Sequence, residues 1–231
     1  MLELFLDIYY LRIVLAIVML SIASIIDVWK REINDILWIT FGAAAVVLIF
    51  FESDLVNILT HIGISMIIAP IALVIWRLGI FGGADAFGLI VLAALAPQAT
   101  LSENLVTPIS TLTNAAILSV IPIFVNVIRN LIALLNHKNI FEGFDETRTK
   151  KTLAIFLGYR AKNPKYGFPL ETMRGDHKKL NFSLHNAENA KFCDKPDTWI
   201  TPGIPYILYI SGGFIVQLFF GDIILNLMST I

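Results

Sequence analysis

The sequence predicts an all-α polytopic membrane protein: six transmembrane helices, with a small β-rich cytoplasmic insert between the fifth and the sixth. Three observations carry this expectation. Of 231 residues, 57% are hydrophobic and 15% charged, with a mean hydropathy of +0.76, which is too apolar for a water-soluble domain of this size. The apolar residues gather into six stretches, near residues 8–26, 36–51, 58–76, 86–97, 106–134 and 204–227. Most of these approach the ~20 residues that a bilayer needs. Finally, twelve of the seventeen Lys and Arg residues lie in one polar segment, Asn136 to Thr201.

The first stretch is read as a retained helix. Its preceding residues, MLELFLDIYY, carry Glu3 and Asp7 and no basic residue, and no small-residue cleavage site follows. Lys30 and Arg31 come after it, Glu52 and Asp54 after the second stretch, Arg77 after the third and Glu103 after the fourth. Basic and non-basic connections therefore alternate. Because basic loops stay cytoplasmic, both termini are expected outside and residues 136–201 inside. The fourth stretch is short, so tilt, its flanks or thinned lipid must complete it. The division is thus 1–135 for five spans, 136–201 for the insert and 202–231 for the last span.

Within the insert, KKTLAIFLGYRA and KLNFSLH give short apolar runs and the alternation Leu180, Phe182, Leu184, which read as strands. Its positive charge follows from orientation, with attraction to anionic membrane lipids as the sharper alternative. There is no phosphate-binding glycine loop and no basic–aromatic stripe, so no nucleic-acid partner is expected. Lone Cys193 excludes an internal disulfide and a multi-cysteine zinc cluster. The histidines His137, His177 and His185 are irregularly spaced, and no metal or cofactor is expected.

Two carboxylates stand out. Asp27 closes the apolar part of the first span and Asp85 opens the fourth, so this topology puts both at the cytoplasmic mouth, at similar depth. Asp85 alone is explicable as an N-cap. Asp27 is not, because a carboxylate at a helix C-terminus opposes the dipole, although Lys30 and Arg31 offer it partners at i+3 and i+4. Ionisable residues at membrane depth are costly and tend to mark function. Two close aspartates cannot both ionise cheaply, so such a pair holds one proton near neutral pH. It can then hydrolyse an amide: one member takes a proton from water while the other donates to the carbonyl oxygen. Gly82 and Gly83 lack side chains that would obstruct an extended substrate backbone, and close helix packing is their competing use.

Asn114, Asn126, Thr111 and Gln217 are read as interhelical hydrogen-bonding groups, and Arg129 as snorkelling to the interface. Asp222, seventeen residues beyond Pro205, lies ~25 Å along a helix and is a poor partner for the pair. A proton-coupled transporter using Asp27 and Asp85 as protonation sites is the alternative function, and a non-catalytic scaffold a third.

The stretches IDVWKREIND, FGGAD and TPGIPYILY resemble the archaeal preflagellin peptidases, relatives of the type IV prepilin peptidases and members of the GxGD class of intramembrane aspartyl proteases. The likeness covers most of the chain. A strict GxGD motif has glycine where this chain has Ala84. Bacterial relatives carry a cysteine-rich cytoplasmic domain and methylate their product; a lone Cys193 places this chain on the archaeal side. No PALP-like stretch suggests the presenilin branch. The resemblance implies catalytic Asp27 and Asp85, motif residues Gly82, Gly83 and Ala84, and cleavage of class III signal peptides from preflagellin or pilin-like precursors at the cytoplasmic face. Family substrates carry basic residues near the cut, which Glu32 and Asp35 are placed to receive.

Overall fold

The computed structural model describes residues 2–80, 82–100, 105–174, 177–182 and 191–229. Glu103, Leu184 and His185, which enter the reading above, lie outside them. Two compact units divide the chain: Met1–Ser119 with Pro205–Ile231, and Val120–Ile204.

The first unit is helical. It comprises α1 (Leu2–Lys30), α2 (Asp35–Ile49), α3 (Leu55–Ser65), α4 (Ile68–Arg77), α5 (Gly83–Leu95), a short β1–β2 hairpin (Ala99–Thr100, Leu105–Val106), α6 (Thr107–Leu118), α9 (Tyr206–Phe220) and α10 (Ile223–Ser229). Proline explains one break. Pro70 sits in the first turn of α4, where it cannot donate to the Met66 carbonyl and crowds it, and α3 gives way to α4 at Met66 and Ile67. A second break comes at Gly221, whose φ of +68° suits glycine alone. Asp222 then caps α10, accepting from the N–H groups of Ile224 and Leu225, both at 3.0 Å.

Among the described residues, three helical segments are long and apolar enough to cross a membrane: Ile8–Lys30, Leu55–Arg77 and Thr107–Leu135. The pair Tyr206–Phe220 and Ile223–Ser229, bent by 41°, makes a fourth if counted as one broken span. The other two expected crossings are the apolar helices Asp35–Ile49 and Gly83–Leu95. At 15 and 13 residues they run only ~22 Å and ~20 Å, against a hydrocarbon core of ~30 Å.

Helix α5 sits at the centre of this unit, against α1, α2, α4, α6 and α9. Leu89, Leu92, Ala93 and Leu95 are fully buried, with Met19, Ala23, Ile207 and Ile210 in the same core. The closest pairing is α6 with α9. A Cβ on Gly213 would lie 2.4 Å from the Thr111 carbonyl and 2.7 Å from the Ala115 nitrogen, so only glycine lets these backbones meet. The seam is polar, as small-residue helix contacts in membranes allow: Thr111 donates to Gln217 at 2.6 Å, Gln217 to Thr107 at 3.1 Å and Asn114 to the Gly221 carbonyl at 2.9 Å.

The second unit holds α7 (Ile121–Leu135), α8 (Arg148–Leu157) and strands β3 (Tyr159–Ala161), β4 (Gly167–Pro169), β5 (Glu171–Arg174), β6 (His177–Leu180) and β7 (Thr198–Pro202). The order β3-β7-β4 forms an antiparallel sheet and β5-β6 a separate hairpin. The small β-rich region is there, but the run KKTLAIFL is helix and not strand. Thr147 caps it, accepting from Lys150 N–H, and Lys, Leu and Ala suit a helix. At its far end Asn126 and Asn130 of α7 donate to the carbonyls of Phe156 (3.2 Å), Ile155 (3.0 Å) and Gly158 (2.7 Å). Asn126 thus bonds between helices as expected. The Arg129 guanidinium carbon lies over the Tyr159 ring, 3.8 Å from its centroid. Fully buried Trp199 is the core: it stacks on Phe141 at 4.9 Å and donates to the Ile140 carbonyl at 2.8 Å.

Candidate active site

Asp27 lies half-buried in the last turn of α1, and the helix ends three residues on at Lys30. The next residue, Arg31, turns into the left-handed region (φ 59°) while its N–H still bonds the Asp27 carbonyl at 3.0 Å. The charge of Arg31 reaches the Asp27 carboxylate.

Asp85 is the third residue of α5 and only 8% exposed. It is not the N-cap; Gly82 is. The Asp85 carboxylate reaches back to accept the Gly82 N–H at 3.0 Å, which anchors it and matches the positive end of the helix. Gly82 is extended (φ −75°, ψ 158°), and a Cβ there would stand 3.5 Å from Asp85 Oδ2, an ordinary contact. Neither conformation nor packing demands glycine at 82. Gly83 and Ala84 open the helix beside it.

Helix α9 meets both α1 and α5 one turn away from the two carboxylates. Ser24, one turn before Asp27, contacts the Ile207 carbonyl at 3.4 Å and shares a 2.6 Å hydrogen bond with Ser211. Gly88, one turn after Asp85, faces the same residue: a Cβ there would meet Ile207 Cδ1 at 2.8 Å and Trp38 Cη2 at 3.2 Å. Ile207 therefore ties α1 just before Asp27 to α5 just after Asp85. Asp27 lies within electrostatic range of Asp85, and Asp85 within range of Tyr206, the first residue of α9. Sequence reasoning missed Tyr206, Trp38 and Gly88; the TPGIPYILY stretch was the available signal for the first.

Glu32 and Asp35 lie on the exposed α1–α2 connection, Glu32 in the coil and Asp35 as the first residue of α2, behind the Asn34 cap. A cavity of about 470 Å³ lies elsewhere, lined by Tyr9, Arg12, Glu52, Asp54, His61 and Gln98 among others. Arg12 precedes Asp27 by fifteen residues, ~22 Å along α1, so this cavity is not the space between the carboxylates.

Two family signatures match consecutive parts of the sequence. The Type IV leader peptidase family covers residues 14–126, and Archaeal Peptidase A24 C-terminus Type II covers residues 124–223. This chain belongs to the type IV leader peptidase family. Both aspartates fall inside the first match. Among curated relatives, this chain is similar to the preflagellin peptidase of Methanocaldococcus jannaschii, 26% identical over 92% of this chain and 94% of that one. It is likewise similar to those of Methanococcus maripaludis (28%, covering 90% and 94%) and Methanococcus voltae (27%, covering 90% and 94%). No solved structure matches it. The family and the apolar helices make it a multi-pass membrane protease of the signal-peptide-processing kind.

Proposed function

We propose that this protein is an aspartyl endopeptidase that removes class III signal peptides from preflagellin-like or pilin-like precursors at the cytoplasmic face of the membrane. The observation that supports the reading is the Ile207 contact: one residue of α9 meets both Ser24, a turn before Asp27, and the backbone of Gly88, a turn after Asp85. The relatives named preflagellin peptidase support the substrate class.

In this mechanism the two carboxyl groups share one proton. The ionised one takes a proton from a bound water as that water attacks the scissile carbonyl, and the protonated one gives its proton to the carbonyl oxygen. Collapse of the resulting gem-diol breaks the C–N bond: the protonated carboxyl gives its proton to the leaving amine while a gem-diol hydroxyl returns one to the ionised carboxylate, which restores the singly protonated pair. No metal, cofactor or covalent intermediate is needed. The Gly82–Ala84 entrance admits extended substrate beside Asp85, and Glu32 and Asp35 attract basic residues of the leader while the precursor's apolar helix stays in lipid.

The topology that serves this chemistry has six crossings and both termini outside. The short helices α2 and α5 cross tilted or in thinned lipid, and residues 136–201 are cytoplasmic. The test is reconstitution in liposomes with a preflagellin-type precursor. Cleavage at one bond ahead of the hydrophobic helix, without proton flux, is the expected result. Flux of protons or solute with the precursor left whole would replace this reading with the transporter.

A further inference from the structure

Helix α8 wears its apolar stripe on the outside. Ala154 is fully buried and points into the core of its unit, while Leu153, Phe156 and Leu157 are 47%, 44% and 41% exposed. Their spacing of i, i+3 and i+4 places them on one face. In a helix that served only its own domain this stripe would turn inward. The first turns carry the opposite character, with Arg148, Lys150 and Lys151. Lys150 is paired with Glu146 at 3.1 Å and Lys151 lies near the Phe141 ring.

The place of α8 in its unit says what covers that stripe. Asn126 and Asn130 clamp its C-terminal carbonyls against α7, and α7 forms the end of the 29-residue candidate span Thr107–Leu135. That segment is longer than the ~20 residues a bilayer requires. Its final turns, those that grip α8, accordingly reach the edge of the hydrocarbon. They too present exposed apolar side chains, Ile128, Leu131, Ile132 and Leu135.

We propose that α8 is an interfacial helix: Leu153, Phe156 and Leu157 rest in the acyl chains of the adjoining leaflet, with the basic first turn at the level of the lipid headgroups. Apolar face in lipid and basic residues at its margin is the pattern of helices that lie in the membrane plane. A second copy of the chain is the weaker occupant, since three half-exposed side chains fall far short of the ~800 Å² per partner that a stable dimer buries.

Nitroxide labels test this directly. Single cysteines at 153, 156 and 157, in a Cys193→Ser background, are labelled and the full chain is reconstituted in phosphatidylcholine–phosphatidylglycerol liposomes; Cys193→Ala serves if the serine variant does not fold. Collision with oxygen is expected to exceed collision with a water-soluble nickel chelate at all three positions, and the order to reverse at Asn163→Cys on the polar surface of the unit. Nickel exceeding oxygen at the three positions would overturn the proposal, as would spin–spin broadening there, which would place a second copy on the stripe.

Discussion

The two ends of α5 each meet a charge of the sign that the helix dipole favours, yet the two charges are treated differently. At the C-terminal end Arg12 is buried and matched: it pairs with Glu52 at 2.6 Å and donates to the Leu95 carbonyl at 3.2 Å. At the N-terminal end Asp85 has the Gly82 N–H, and the charge it feels from a neighbouring span is the like charge of Asp27. The charge that holds helices together is given an opposite one; for Asp85 the proposed use is instead proton transfer with Asp27.

Breaking the Arg12 end has the largest expected effect on stability. Arg12→Met leaves Glu52 buried without its partner and is expected to cost about 3–5 kcal/mol, read as a fall in thermal unfolding temperature in detergent. Arg12→Met combined with Glu52→Leu should recover most of it. If the single variant unfolds like wild type, the ion pair does not hold α1 to α5.

Next come the glycines. Gly213→Ala forces a methyl against the α6 backbone and should cost about 1–3 kcal/mol; Gly88→Ala, which meets side-chain ends of Ile207 and Trp38, should cost less. Gly82→Ala is expected to stay within about 0.5 kcal/mol of wild type, so any fall in precursor cleavage by that variant reports on substrate access. Unfolding curves beside cleavage rates separate the two kinds of glycine.

Charge reversal on the α1–α2 connection is a subtler probe. Glu32→Lys with Asp35→Lys should raise KM for a precursor with a basic leader about tenfold, equivalent to about 1.4 kcal/mol, and leave kcat alone. Unchanged KM would remove these residues from the substrate path.

The smallest effect belongs to the other unit. Arg160 grips Asp197 with two hydrogen bonds, 2.8 and 2.5 Å, and so holds that carboxyl below the ordinary range. A lowered folded-state value contributes stability above the unfolded value, near 4, that disappears as pH falls through the folded one. Asp197→Asn keeps a residue that tolerates the φ of 53° there. It should lower the unfolding temperature slightly at neutral pH and not at all in strong acid; a deficit that persists in acid would contradict the pairing.

Much of this organisation is legible in the chain. Apolar run length locates the helices, and the two aspartates stand out because a carboxylate at the edge of hydrocarbon is costly. What is missed depends on partners remote in sequence. Arg12 lies inside an apolar run, and only the fold reveals Glu52 and the end of α5 around it. The run KKTLAIFL reads as strand because eight residues carry little periodicity; it is helix because Thr147 caps one end and Asn126 and Asn130 hold the other. Gly88 and Ile207 gain meaning only from their contact. Run length alone does not decide a crossing, since α2 and α5, apolar beyond their first turns, close after 15 and 13 residues at Phe50 and Ala96.

The most direct measurement is turnover of one precursor by purified wild type, Asp27→Asn and Asp85→Asn, each checked for native unfolding. Asparagine preserves the shape of the side chain and an acceptor for the Gly82 N–H. Loss of the cut in both variants, with unfolding within about 1 kcal/mol of wild type, is the outcome expected here. A well-folded variant of either residue that still trims the precursor at the wild-type rate would contradict the shared-proton pair.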